Sequence, residues 1–395
     1  MESHQQIGQR LDLFHFQDEA PGMAFWHPRG LALIRVLEDV IRRRVARDGF
    51  EEVRTPQLVR RPIWASSGHW ENFREHMFSM GEDGREAALK PVNCPCHVQL
   101  VERRAPSYRD LPIRLAELGV VHRDEDAGVL NGLFRLRQFT QDDGHVFCAP
   151  AQVEDEIARF CGSIDALYRA FGFDEVSIAF STRPAKRAGD DALWDRAEAA
   201  LLAAARRAGL DPIVQPGEGA FYGPKIEFAL RDRLGRSWQC GTVQLDFVMP
   251  ERFELSYADA DGSRVRPAMI HRAIFGSLER FAAILLEHHE GALPAWLAPV
   301  QIGVVPIADA QAAWAREVVD RLRGRGLRVA QMGGGMTLSR ALVDTHGAGV
   351  PLIAIVGARE VADKTVALRS RDGSQVVLPI DEVVAECGRR CAAPI

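Results

Sequence analysis

The chain has 395 residues, 47% of them hydrophobic and 26% charged, with a formal net charge of −5. These are the proportions of an ordinary globular protein of two or three domains. No run of about 18 apolar residues occurs, so no transmembrane helix is expected. The opening MESHQQIGQRLDLFHF has no basic segment leading into an apolar core, and a cytoplasmic location is expected. Seven scattered cysteines do not read as a disulfide framework in a chain this long, although one or two could ligate a metal. The acidic balance gives no global basic signature for nucleic acid.

In chain order, apolar spacing over residues 28–50 predicts a helix closed by Gly49, and EEVRTPQLV then reads as a strand. Residues 117–148 read as strand, loop, strand. Residues 151–171 and 190–209 are amphipathic helices. Strands flank the turn DRLGRS within 224–247, and residues 271–292 read as an apolar-faced helix. LPAWLAPVQ, near 293–301, carries two prolines and marks a domain boundary. Beyond it, strands QIGVVPI, LRVAQM, PLIAIVG and TVALRSR alternate with helices at 309–324, 337–347 and 381–390. Except that the last two strands follow one another directly, this is the pattern of a small α/β domain.

Two groups of residues carry chemistry. Cys94, His145 and His271 offer one thiolate and two imidazoles, a set that suits Zn²⁺ and leaves a fourth position open. Spacing alone does not choose this trio over buried structural residues, and His97 or Cys96 could substitute. The second group is arginine-rich. Arg123 and Glu125 follow a hydrophobic strand, Arg135 and Arg137 repeat the arrangement on the next, and Phe139 comes after them. Arg280 lies on an apolar helix. Guanidinium groups in such places either meet phosphate or pair internally with Glu125, Asp142, Asp143 or Glu279. No P-loop or GxGxxG motif occurs.

Nine stretches in order, GMAFWHPRG, EVRTPQLV, SSGHWENF, KPVNCPCH, SYRDLPIRLAELGVVHRDE, LNGLFRLRQFTQDDGHVFC, GEGAFYGPKIEF, WQCGTVQLDF and MIHRAIFGSLERF, resemble the threonyl-tRNA synthetases. The resemblance implies a class II catalytic domain over residues 1–297, an antiparallel sheet with flanking helices. It implies an α/β anticodon-binding domain over 298–395. The implied activity activates L-threonine with ATP and transfers it to threonine tRNA, in a homodimer with Pro56 at its interface. Arg123 would hold the α-phosphate and the threonine carboxylate. Glu125, Arg135 and Phe139 would contact ATP, with Phe139 stacking on adenine, and Arg280 would bind the γ-phosphate. Cys94, His145 and His271 would ligate one zinc per chain, and Mg²⁺ would accompany ATP. Asp143 would bond the threonine hydroxyl. Gln141, Tyr222, Lys225 and Gln239 would line the amino-acid and adenylate pocket. His69 would assist transfer to the tRNA ribose, and Glu360 and Arg369 would read anticodon bases.

Three departures from the family pattern stand out. The usual bacterial protein has a long N-terminal region that includes a domain hydrolysing seryl-tRNA. This chain starts just before the catalytic core, and a short form is expected. KPVNCPCH stands for the usual KPMNCPGH, so Val92 replaces methionine and Cys96 glycine; Gln138 also replaces a glycine and would be strained at positive φ. Finally, residues 331–349 replace a stretch rich in Lys and Arg and keep only Arg340 as a fixed cation. The last hundred residues correspondingly carry 12 Lys+Arg against 10 Asp+Glu over 301–395. These departures leave two alternatives open: an adenylating paralogue serving an acceptor other than tRNA, or an inhibitor-tolerant duplicate synthetase.

Overall fold

Residues 2–82 and 84–394 are described by the computed structural model, and the largest element in them is an eight-stranded sheet. Its strands are β1 (Glu51–Glu52), β2 (Ile113–His122), β3 (Gln138–Cys148), β4 (Val176–Ser181), β5 (Ile213–Gln215), β6 (Lys225–Arg231), β7 (Ser237–Asp246) and β8 (Ala268–Ala273). Their order is β5-β4-β6-β7-β8-β3-β2-β1. Only the edge pairs, β5 with β4 and β1 with β2, are parallel. Helix α1 (Pro28–Arg47) precedes the sheet in sequence, α2 (Cys94–Arg104) precedes β2, and α3 (Val153–Ala170) and α4 (Asp191–Arg207) follow β3 and β4. Tyr168 of α3 donates to the Ile274 carbonyl at 2.5 Å. A Cβ on Gly241 of β7 would lie 2.4 Å from that hydroxyl, so glycine is what lets α3 close on the sheet.

The sheet belongs to a compact unit comprising Phe16–Met23 and Leu37–Phe281. A second unit comprises the residues up to His15, Ala24–Val36 and those from Ala282 onward. It holds a five-stranded sheet of β9 (Ile302–Pro306), β10 (Val329–Gln331), β11 (Leu352–Val356), β12 (Thr365–Ser370) and β13 (Gln375–Pro379), in the order β10-β9-β11-β12-β13. Trp314, Val318 and Leu322 from the helix Ala312–Arg323, with Val383 from the helix Ile380–Arg390, pack on Ile302, Val304, Leu352 and Leu368. Val305, Ile353 and Ile355 pack on the other side with Ala341. Burial on both faces explains why these strands read as continuous apolar runs.

Four readings of the sequence are corrected. The helix expected over 271–292 begins only at Leu278 and is α5 (Leu278–His288), because residues 268–273 form β8. Every residue of β8 is buried, and a strand covered on both faces has no period to distinguish it from a buried helix. Arg135 and Arg137 precede β3 rather than lying on it, whereas Arg123 and Glu125 follow β2 as the sequence suggests. EEVRTPQLV is not one strand: β1 ends at Glu52, and Leu58–Arg60 joins a separate three-stranded sheet with Ala87–Leu89 and Ser79–Met80. Pro56, which has no N–H to give, lies between them. The helix Ala358–Asp363 and strand β13 were not anticipated. Gln138 opens β3 and is not among the described residues with positive φ, so the strain expected there does not arise.

Asp142 and Asp143 point to opposite faces of β3. Asp142 is buried, and its carboxylate accepts from the amides of Ile274 (2.6 Å), Phe275 (3.1 Å) and Gly276 (2.8 Å). It therefore ties down the turn that leads from β8 into α5 and carries Arg280. Asp142→Ala, which leaves these amides without an acceptor, should cost about 3 kcal/mol of stability in denaturant unfolding. Asp142→Asn retains an acceptor oxygen and should cost clearly less; equal losses in the two variants would mean that the amide bonds are not what this carboxylate supplies.

Candidate active site

Register gathers the site. One rung crosses five strands, pairing Lys225 with Gln244, Gln244 with His271, His271 with His145 and His145 with Leu115. Side chains at the rung share a face, joined there by residues two or four places along, including Asp143 and Gln141 on β3, Glu117 and Gly119 on β2 and Thr242 on β7. Cys94 comes from the first turn of α2, where Pro95 suits a position whose amide has no helical partner.

Cys94, His145 and His271 are all buried, and their ligand atoms lie within 4.8 Å of one another. His145 Nε2 and His271 Nδ1 face each other at 3.0 Å. Nε2 of His271 lies 2.9 Å from Asp246 Oδ2, while the other oxygen of Asp246 accepts from the amides of Val248 and Met249. This carboxylate fixes the His271 tautomer with Nδ1 free as a donor atom. Burial, reinforced by Asp143 and Asp246, pushes the Cys94 thiol well above its ordinary range. A cation is what would make it a thiolate here. One soft donor, two imidazoles of defined tautomer and a compact spacing fit a tetrahedral ion.

Asp143 stands beside the cluster, its Oδ1 3.7 Å from His145 Nε2 and its Oδ2 accepting from Asn93 at 3.0 Å. Tyr222 packs against His271 with ring centroids 5.0 Å apart and donates to Gln244 at 2.5 Å. Gln244 in turn lines a cavity of about 480 Å³, together with Arg123, Glu125, Arg135, Phe139, Gln141, Gln239 and Arg280. The metal-type cluster and the arginine-rich cavity are thus contiguous. Arg123 lies 5.2 Å from the Phe139 ring centroid and 5.6 Å from that of Phe73, with Nε on the Pro91 carbonyl at 3.3 Å. Arg135 pairs with Glu125 at 2.8 Å. Arg280 Nε and Thr242 Oγ1 are buried without a hydrogen-bond partner, so the cavity holds polar atoms in need of a ligand.

Other expected residues are not among those that line this cavity. Lys225 is on the shared rung, but its ammonium donates to Glu227 at 2.8 Å. His69 is buried beside Phe221 (centroids 5.8 Å), with Nδ1 2.9 Å from Ser67 Oγ. Burial, aided by the charges of His271, Arg123 and Arg252, pushes its pKa down to about 3. It is therefore neutral near pH 7, and its surroundings oppose its protonation. Glu360 accepts from the Gly357 amide at the start of its helix, and Arg369 lies on β12 in register with Ile353. Arg340 is bound to Asp344 at 2.9 Å. Val92 and Cys96 both pack on an apolar cluster that includes Trp64, Trp70 and Met77.

Sequence reasoning missed Thr242, Gln244, Asp246 and Glu117. The alternating polar residues in WQCGTVQLD were the available signal for the first three, since residues two apart share a strand face. Nothing in the sequence distinguished buried Glu117 from a surface carboxylate. His97, considered there as a ligand, is instead in contact with His145, Nδ1 to Nδ1 at 2.8 Å.

Comparison with known proteins agrees with this geometry. The family described as tRNA synthetase class II core domain (G, H, P, S and T) matches residues 77–289, and that described as anticodon binding domain matches 301–390. A threonine–tRNA ligase from Alkalilimnicola ehrlichii is 51% identical over 94% of this chain, and one from Laribacter hongkongensis 49% identical over 96%. The chain spans 58% and 60% of their respective lengths. A crystal structure of the RNA binding domain of threonyl-tRNA synthetase from Cryptosporidium parvum Iowa II superposes with a TM-score of 0.97 at 39% identity, covering 100% of this chain and 99% of that one. A prolyl-tRNA synthetase of that organism, at 16% identity and a TM-score of 0.73, shares the fold. Sequence, sheet topology and these likenesses agree: the chain belongs to the threonyl-tRNA synthetase family of class II aminoacyl-tRNA synthetases.

Proposed function

We propose that the chain is a threonine–tRNA ligase with a zinc-dependent amino-acid site. The observation that carries this reading is the continuity of the Cys94–His145–His271 cluster, with Asp143 beside it, and the cavity lined by Arg123 and Arg280. In the first step the threonine carboxylate attacks the α-phosphorus of ATP and pyrophosphate departs. Arg123 and Arg280 meet the developing phosphate charge together with Mg²⁺, and Phe139 offers a stacking face for adenine. Glu125 and Arg135 contact the nucleotide, and Gln141, Tyr222, Lys225 and Gln239 border the adenylate. In the second step a ribose hydroxyl of the tRNA terminal adenosine attacks the carbonyl and AMP departs, and His69 is assigned to assist this transfer. Zinc, when bound, supplies coordination for the amino and hydroxyl groups of threonine, and Asp143 accepts from that hydroxyl. Valine cannot make this bond, whereas serine can.

Glu360 and Arg369 are assigned to anticodon reading, and the boundary between the catalytic and anticodon-binding domains is placed at 297/298. A homodimer built around Pro56 and a cytoplasmic setting complete the reading. The free state of all seven cysteines suits a reducing compartment, and among the described residues no helix is long and apolar enough to cross a membrane. One observation favours a second reading, in which the adenylate serves a different acceptor: the stretch 331–349 keeps a single arginine, and that arginine is paired with Asp344.

Three outcomes test the proposal. Metal analysis of the purified chain should find zinc near one equivalent, and Cys94→Ser should lose most of it; full retention in that variant would remove Cys94 from the ligand set. Threonine should drive ATP–pyrophosphate exchange, serine weakly and valine hardly at all, and Arg123→Ala or Arg280→Ala should lower the rate by about a hundredfold or more. Exchange with valine at the threonine rate would refute the selection argument. Threonine tRNA should be charged selectively but bound loosely, with a shallower salt dependence than in a relative that keeps the basic stretch. Arg369→Ala should reduce anticodon discrimination by about 1–3 kcal/mol. Normal adenylate formation with no tRNA charged at any salt concentration would hand the case to the alternative acceptor.

A further inference from the structure

Two ring nitrogens face each other across 2.8 Å, Nδ1 of His97 and Nδ1 of His145, with the rings nearly perpendicular at 88°. Both residues are buried. A stable contact of this kind needs one hydrogen between the two nitrogens. Which ring supplies it is settled on the far side of His97. Its Nε2 lies 3.1 Å from Glu117 Oε2, and an ionised carboxylate only accepts. An imidazole that gives its one hydrogen to Glu117 from Nε2 leaves Nδ1 bare, and the hydrogen between the rings then belongs to His145.

Glu117 is held in place by more than His97. It accepts from Lys90 Nζ at 2.9 Å and from the amide and hydroxyl of Thr55, both at 2.9 Å. Lys90 also donates to the Thr55 hydroxyl at 2.9 Å. Burial alone would raise the Glu117 pKa, but the bonds from His97, the Thr55 amide and Lys90 outweigh it and bring the value down to about 2. The carboxylate is thus fixed, charged and directed at His97.

We propose that His97, held by Glu117, is a positioning residue that fixes the His145 tautomer with Nε2 bare and turned toward the metal. This rests on the metal reading above. The cluster then has support on both sides: Asp246 acts on His271 directly, and Glu117 acts on His145 through one intervening imidazole. Removing either support frees a ligand ring to turn or to take the wrong tautomer, which weakens metal binding without removing a ligand.

The test uses the purified chain, zinc and a competing chelator of known affinity, with each variant's fold checked by circular dichroism and thermal unfolding. Zinc near one equivalent in the unsubstituted protein sets the baseline; its absence there overturns the metal reading and this inference with it. His97→Leu should weaken zinc binding by about 10- to 100-fold while the ligand set stays intact. His97→Asn can place its amide oxygen near the site of Nδ1 and accept from His145, and it should recover most of that loss. A purely packing role predicts the reverse order, because leucine fills the space better than asparagine. If His97→Leu does not fold, the pair Lys90→Met with Glu117→Gln removes both charges together and should still weaken zinc binding several-fold. Zinc affinity unchanged in a folded His97→Leu, or equal losses for Leu and Asn, would overturn the assignment while leaving the metal site itself standing.

Discussion

The antiparallel pairing that sets His145 opposite His271 is the constraint on which the site depends. Strand side chains alternate with a period of two, so a one-residue slip of β3 would turn Gly144 and Asp142 toward the cluster and bury His145 and Asp143 behind the sheet. The same rung fixes Gln244 and Lys225 on β7 and β6. The arrangement is held on the reverse face by Asp142, whose three amide bonds lock the turn after β8. The histidine cluster and the turn that leads to Arg280 therefore depend on two faces of one strand.

Charge is distributed to match. Buried carboxylates away from the cavity are satisfied within the protein: Glu117 by Lys90, Thr55 and His97, Asp246 by two amides and His271. Inside the cavity the balance is left open. Arg123 rests against aromatic rings rather than a carboxylate, and Arg280 keeps an unpartnered Nε. Unpaired cations in a confined space are costly unless an anion arrives, and this imbalance suits a triphosphate. Arg135 differs, because Glu125 already holds it and a nucleotide would have to share or displace that contact.

Much of this was legible in the sequence, unevenly and for physical reasons. The Cys94–His145–His271 trio, Asp143 and the cavity arginines are legible less from spacing than from the ordered resemblance of nine segments. Most of the C-terminal strands and helices are visible because loops and helical periods separate them, the exceptions being the short helix Ala358–Asp363 and the exposed strand β13. β8 is misread because burial on both faces erases periodicity, and Arg135 and Arg137 are misplaced because β3 begins only at Gln138, just after them. The supporting partners were the least visible. Glu117, Asp246 and His97 act through contacts between segments distant in sequence, and nothing local in a strand or helix pattern records such contacts.

The wall formed by KPVNCPCH shows what kind of variation this site can absorb. Where the family has a long side chain and none, this chain has valine and cysteine, one shorter and one longer, both against the same apolar cluster of Trp64, Trp70 and Met77. Exchanges that roughly conserve volume are the ones a packed interior tolerates best. The neighbouring Lys90, Asn93 and His97 have no such latitude, since each is one end of a buried polar bond whose loss would strand its partner. Along eight consecutive residues, then, the room for substitution is steric and not electrical: apolar positions can trade volume against one another, while each buried polar side chain is tied to a partner in another segment.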